Sequence, residues 1–392
     1  MFGFPSVLFL SITSVYAAPL IQTPSFFGPS PSVYQHLPVG RSPISKYDMM
    51  EIGRLATAVN SAYCHDDILQ PHFSHPFMVQ TGRHRHQERQ LRHAATSIVK
   101  TSDDAENSEG IEKGDMRWYI SHTPSTQTLT LVFSSLENVD DLLELVASEY
   151  DVHSNSTTGT LVELPSNLFP SSRFSHPDIP LIHRSYLSSI DTHGTSALFA
   201  LLHLIEEPPV SVDSTRDVIR NYVRSLANPS AQAQPHPIRN VQIVGHGLGS
   251  AVGMIVALAL KEELLVKQRD LLPTIDVTAT LFGLPRVGNA AFGAFVDDTA
   301  SSASLRIFRI TSYADTIPHL PERHHGLVHP SSVREVWIGA DPRVAYICKP
   351  KSNGEESEDC AASIPLGKTS LLDHLGPFGG IRITPGSCSR SA

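Results

Sequence analysis

The segment that most constrains this chain is a short β-branched run, Val241-Gln242-Ile243-Val244. It is followed at once by Gly245-His246-Gly247-Leu248-Gly249 and then by an apolar stretch of helical pattern, Ser250 to Leu265. Strand, tight glycine turn and helix in direct succession are the grammar of an open α/β sheet. The rest of the chain fits that frame. Arg117 to His122 and Thr128 to Ser134 read as strands around a Pro124-Ser125 turn, and Val277 to Phe282, Leu305 to Thr311 and Glu335 to Ile338 as later strands. Near Tyr47 a helix begins, with Met49, Ile52, Leu55, Ala56 and Val59 recurring at helical spacing. Val139 to Val146, Thr195 to Ile205 and Val218 to Leu226 read as further helices. A phosphate-cradling role for the glycine turn fails, because no Lys-Ser/Thr follows and the G-x-G-x-x-G spacing is absent.

At 392 residues with 41% apolar content the chain can bury a substantial core. Its net charge of −9 argues against nucleic acid as a partner, since phosphate binding needs a basic surface. Residues Phe4 to Tyr16 are apolar, uncharged and too short to span a bilayer. Val15 and Ala17 stand as a small-residue cleavage site before Pro19, so residues 1–18 read as a secretory signal peptide. No later transmembrane candidate follows: the apolar stretch Ala251 to Leu260 ends at Lys261-Glu262-Glu263. The expected location is therefore extracellular, where Asn155-Ser156-Thr157 is a usable glycosylation acceptor. Residues 19–45 read as a flexible leader or pro-segment, 46–392 as one domain, and 152 to 180 as Ser/Pro-rich loop. Residues 65 to 110 are polar, and their histidines (His65, His72, His75, His84, His86, His93) invite a metal site. His84-x-His86 without Cys or carboxylates at ligand spacing favours a solvated loop, so neither metal nor cofactor is expected.

In a G-x-S-x-G turn between strand and helix, the middle residue is held in a strained backbone at the sheet's C-terminal edge, above the helix N-terminus. Here that frame carries Gly247 in the middle. With its neighbours Val244 to Ala251, the chain resembles fungal class 3 lipases. The likeness continues through Phe282-Gly283-Leu284-Pro285-Arg286-Val287-Gly288-Asn289, Phe308-Arg309-Ile310-Thr311, Ala314-Asp315-Thr316-Ile317-Pro318-His319-Leu320-Pro321, Glu335-Val336-Trp337-Ile338 and Asp373-His374-Leu375, in the family's order over residues 47 to 388. The resemblance implies an α/β-hydrolase fold, with a mostly parallel central sheet flanked by helices, and an ancestral esterase acting on lipid esters. It implies Asp315 as the triad acid and His374 as the base, in the chain order of such hydrolases. The plainer alternatives are a turn residue for Asp315 and a surface histidine for His374. His246 resembles a structural family residue.

Two departures fall on the chemistry. Gly247 offers no side-chain oxygen, and loss of a triad serine costs about a millionfold in turnover. In Val132-Phe133-Ser134-Ser135-Leu136, the family's oxyanion-hole hydroxyl is matched by Leu136, leaving its backbone N–H and that of Leu248 as donors. The lost hydroxyl is worth about 10²–10³ in rate, and a register shift of one or two residues would restore it through Ser134 or Ser135. Ser250 is a rival nucleophile, with backbone bonding as its plainer role. The segment after Leu136 matches the position of the family's lid, with Val139, Leu142 and Leu143 as its apolar face and an ordinary core-packed helix as the alternative.

These features favour a lipid- or acyl-ester-binding protein that works at a lipid–water interface, weakly active or inactive. The other reading is an active ester hydrolase using a substitute nucleophile or an activated water. Four cysteines allow three pairings. The family habit of tying the N-terminal helix to the C-terminus implies Cys64–Cys388, and Cys348 and Cys360 bracket a short acidic loop. Peptide mapping without reductant is expected to recover Cys64 joined to Cys388 and Cys348 joined to Cys360; a free thiol at any of the four positions refutes the pairing.

Overall fold

The computed structural model describes residues 41–63, 97–102, 116–147, 161–169, 179–209, 237–267, 275–302, 305–323, 326–349, 356 and 358–385. The first half contributes β1 (Arg41–Pro43), α1 (Lys46–Ala62), β2 (Ser97–Thr101), β3 (Trp118–Thr123), β4 (Thr128–Phe133), α2 (Val139–Ala147), β5 (Leu161–Glu163), β6 (Leu181–His183) and α3 (Thr195–Glu206). The second half contributes β7 (Asn240–His246), α4 (Leu248–Lys267), β8 (Asp276–Phe282), β9 (Gly288–Asn289), α5 (Ala290–Ser302), β10 (Leu305–Ser312), β11 (Leu327–Val328), β12 (Val333–Ile338), β13 (Ala345–Cys348) and the short α6 (Leu371–His374).

Nine of these strands form one sheet in the order β1-β13-β12-β10-β8-β7-β4-β3-β2. The centre, β4, β7, β8, β10 and β12, is parallel, and antiparallel strands close both sides. This is the α/β-hydrolase architecture. Period-2 alternation explains its two faces. Leu129, Leu131, Ile243, Ala279, Leu281 and Ile307 point to the face covered by α3, α4 and α5. Val132, Val244, Phe282, Phe308, Ile310 and Val336 point to the face covered by α1 and the C-terminal segment with Phe378 and Ile383. Helix α4 lies under the sheet centre, and Ala251 to Leu260 are all buried. That burial, not lipid, accounts for the long apolar run; no described helix is long and apolar enough to cross a membrane.

Three loop expectations give way. Ser97–Thr101 pairs with β3, and Leu161–Glu163 pairs with β6 in a second, four-stranded sheet. Short strands paired on one side, with little apolar patterning of their own, look like loop in a sequence. The expected leader also reaches too far. Arg41–Pro43 pairs with β13, the Arg41 guanidinium lies over the rings of Trp337 and Tyr346, and Ser45 caps α1 in a capping box with Asp48. The signal peptide, the histidine cluster at 65–93, Cys64, Cys388, Asn155 and the helix at Val218 to Leu226 lie outside the described residues.

Strand β7 turns into α4 within one residue, which forces the turn against the end of β4. A Cβ on Gly249 would stand 1.9 Å from the carbonyl oxygen of Ser134. Backbone cannot give way as a side-chain tip can, so only glycine fits. Gly249→Ala is expected to cost about 3 kcal/mol or more of folding stability, or to prevent folding. Gly367→Ala, where an added carbon meets nothing within 4 Å, is expected to stay within about 0.5 kcal/mol; urea unfolding of both variants checks the contrast.

Candidate active site

The site forms where the parallel strands end. Asp315 follows β10, wholly buried. One carboxylate oxygen accepts the Ile317 N–H at 2.9 Å, which fixes the carboxylate within its own turn. A parallel bridge to Ser370, with the Ser370 N–H on the Ala314 carbonyl at 2.7 Å, fastens this loop to the segment that leads into α6. His374 at the end of α6 is thereby brought to Asp315, its Nδ1 lying 3.0 and 3.1 Å from the two carboxylate oxygens. A carboxylate can only accept here, so Nδ1 carries the proton and Nε2 presents a lone pair. The ring packs on Gly283, where a Cβ would stand 2.4 Å from its Cε1.

His374 Nε2 faces the glycine turn. Gly247 has φ +52, and a Cβ there would lie 2.9 Å from Nε2, 2.7 Å from Ser135 Oγ and 2.8 Å from Leu142 Cδ2. Nε2 is buried and has no hydrogen-bond partner among the described residues. The pair thus has the geometry of a general base aimed at residue 247, where no hydroxyl stands to receive it.

Sequence reasoning expected Leu136 and Leu248 at the oxyanion position. The Leu248 N–H, at the start of α4, donates to Ser135 Oγ at 3.1 Å, while Leu136 packs half-buried against the main core. Ser135, one residue before Leu136, is the hydroxyl beside the turn. Ser134 is turned away, its Oγ accepting the Arg117 N–H. Ser250 donates to the Phe282 carbonyl at 2.8 Å, which commits its hydroxyl to β8. In α2, Leu142 is buried over the turn, whereas Val139 and Leu143 are half-buried.

Two residues tie these parts together, and one of them carried no signal in the sequence. Tyr63, just past α1, accepts the Ser135 N–H at 3.0 Å, and its hydroxyl donates to His246 Nδ1 at 2.7 Å. His246 Nε2 donates to the His374 carbonyl at 2.9 Å, and the two imidazoles stack 4.3 Å apart. Farther out, Arg286 donates to both carboxylate oxygens of Glu356 and to the carbonyls of His319 and Pro321, bracing the loop that carries Asp315. Glu335, Cys348 and Cys360 bring a carboxylate and two sulfurs together, but the sulfurs are joined as a disulfide and Glu335 pairs with Arg309. That group has no free thiolate to offer a metal.

Burial, reinforced by the neighbouring His374, holds His246 well below the ordinary histidine value, and burial with the neighbouring Arg309 does the same for His329, whose Nε2 donates to the Pro318 carbonyl. Both are neutral when folded and gain a proton on unfolding once the pH drops below about 6.5. Their depressed folded pKa values therefore cost nothing above about pH 7 and destabilise the fold below it, by up to about 1.4 kcal/mol per pH unit for each histidine. Urea unfolding from pH 8 down to 5 measures this; stability that stays level across the range refutes the neutral assignment.

The known proteins that this chain is similar to are lipases. The family model for lipase (class 3) matches residues 154–325. A lipase of Rhizomucor miehei is 32% identical over 194 residues, 47% of this chain and 48% of that protein. A lipase of Rhizopus niveus is 32% identical over 157 residues, 40% of this chain and 36% of that protein. A secreted mono- and diacylglycerol lipase of Malassezia globosa is 30% identical over 138 residues, covering 35% and 40%. The chain thus spans about a third to a half of the length of the curated relatives it matches. Among solved structures, the Rhizomucor miehei triacylglyceride lipase aligns at a TM-score of 0.53 with 20% identity over 89% of this chain and all of that one. A fungal lipase–inhibitor complex aligns at 0.55 with 21% identity over the same shares. The sequence matches and the shared architecture lead to one conclusion: residues 154–325 are similar to class 3 lipases, and the chain has the α/β-hydrolase fold of the fungal lipases.

Proposed function

We propose that this chain is a secreted lipid-binding protein built on a lipase site, with little or no ester hydrolysis of its own. The observation that carries the proposal is the buried His374 Nε2, oriented by Asp315 and aimed at Gly247, where an attacking hydroxyl would have to stand. The lipase relatives, one of them described as secreted, support an acyl-ester or acyl-chain ligand and an extracellular location. In this reading Gly247 takes the nucleophile position, Asp315 and His374 are the inherited acid and base, and Ser135 with the Leu248 N–H takes the oxyanion position. Helix α2 acts as the cover, through Leu142. Without the serine, turnover should fall about a millionfold, leaving at most a residual few thousandfold over water.

The intact acid–base pair favours a second reading, in which His374 activates a water or another nucleophile for slow hydrolysis. Short and long p-nitrophenyl esters, assayed beside Gly247→Ser and His374→Ala, separate the two. The proposal expects wild-type turnover at or below the residual level, no labelling by a fluorophosphonate, and weak labelling of Gly247→Ser at residue 247. Wild-type turnover near ordinary lipase rates, abolished in His374→Ala, establishes the second reading and overturns the first.

A further inference from the structure

The atoms around Gly247 also point to a chemical class of ligand. We propose that the site prefers the free carboxyl group of a fatty acid to the ester of the same chain, with the carboxyl seated between His374 Nε2 and Ser135 Oγ. This rests on the lipid-binding reading above and sharpens it.

Three atoms ring the point where a Cβ on residue 247 would stand: Ser135 Oγ at 2.7 Å, Leu142 Cδ2 at 2.8 Å and His374 Nε2 at 2.9 Å. Two are polar and one is the tip of a flexible apolar side chain that can swing aside. The two polar atoms have complementary needs. Nε2 offers a lone pair, since Nδ1 holds the ring proton and donates it as a hydrogen bond to Asp315, and Nε2 finds no donor among the described residues. Ser135 Oγ accepts from the Leu248 N–H, and its hydroxyl, which also reaches the Tyr63 oxygen, rotates to donate to a ligand oxygen. An ester brings only acceptor oxygens. It meets Ser135 but leaves Nε2 buried without a partner, which costs free energy.

A carboxyl group supplies both halves. Its proton is shared with Nε2, and its second oxygen accepts from Ser135. Counted as ions, a carboxylate with one proton binds as a carboxylate–imidazolium pair. Asp315 stabilises the imidazolium, and the positive N-terminal end of the 20-residue α4 faces the carboxylate. No bond to carbon forms or breaks. A fatty alcohol also donates to Nε2, but without the charge its bond is weaker. The expected order of affinity is acid, then alcohol, then ester. In an active lipase the serine hydroxyl would donate to Nε2 and compete with the carboxyl, so the preference follows from the glycine.

Titration calorimetry of the full chain with decanoic acid, decan-1-ol and methyl decanoate at one pH tests this. The acid is expected to bind about 10- to 100-fold more tightly than the methyl ester, as for a hydrogen bond to a charged group. His374→Ala should weaken acid binding about tenfold or more and ester binding less than about threefold. Gly247→Ser, whose own hydroxyl donates to Nε2, should weaken acid binding about tenfold. Ser135→Ala removes the other arm and should weaken the acid more than the ester. Equal affinity for acid and ester overturns the carboxyl preference while leaving the lipid-binding reading in place. An acid preference that survives undiminished in all three variants also overturns it, since the carboxyl then sits elsewhere. Failure of all three ligands to bind overturns the inference and the underlying reading together.

Discussion

One hydroxyl, that of Tyr63, holds the site in register. It accepts from the backbone of Ser135 and donates to His246, which in turn donates to the carbonyl of His374. The loop after β4, the end of β7 and the C-terminal helix α6 thus meet at a residue that closes α1. None of these groups reaches water, so each would lose the full value of its hydrogen bond if a neighbour moved away. The geometry at Gly247 is a consequence. Ser135 lies beside the turn because Tyr63 and the Leu248 N–H hold it, and His374 lies opposite because His246 and Asp315 hold it from two sides.

That arrangement survives although residue 247 has no oxygen, and the physics allows it. The positive φ at Gly247 is strained for a residue with a Cβ, by about 1–3 kcal/mol, and natural for glycine. Glycine there relieves strain while the buried pair beside it keeps its structural role: the Asp315 carboxylate caps its own turn as well as orienting His374. An acid–base pair retained for stability remains able to recognise a proton-bearing ligand. In the proposed reading, the absence of an attacking atom and the carboxyl preference both follow from the glycine at residue 247.

Much of the fold was legible in the sequence. The strand–turn–helix unit, the first helix with Ile52, Leu55, Ala56 and Val59 turned inward, and all five central parallel strands lie where their apolar periods put them. Strongly buried elements carry strong patterns. The edge strands at Arg41–Pro43, Ser97–Thr101 and Leu161–Glu163 were read as loop or leader, because a three- to five-residue strand paired on one side needs little apolar signal. In the site, Asp315, His374 and the glycine turn stood out as ordered motifs. Tyr63 did not, because a lone tyrosine beside a cysteine has no spacing to read. Counting along the chain pointed to Leu136, whereas the side chain in contact with the turn is that of Ser135.

The sequence by itself determined the open α/β sheet, the resemblance to class 3 lipases, the chain order of Gly247, Asp315 and His374, and the absence of a hydroxyl at residue 247, since each is a matter of residue type at a fixed local spacing. Only the tertiary structure decided which serine faces the turn, that His374 Nε2 is buried without a partner, and that Leu142 covers it. These are relations between segments more than 100 residues apart, such as Ser135 with Leu248 and His374 with Gly247. Hydrogen-bond geometry varies over tenths of an ångström, and only the packed chain fixes distances that finely.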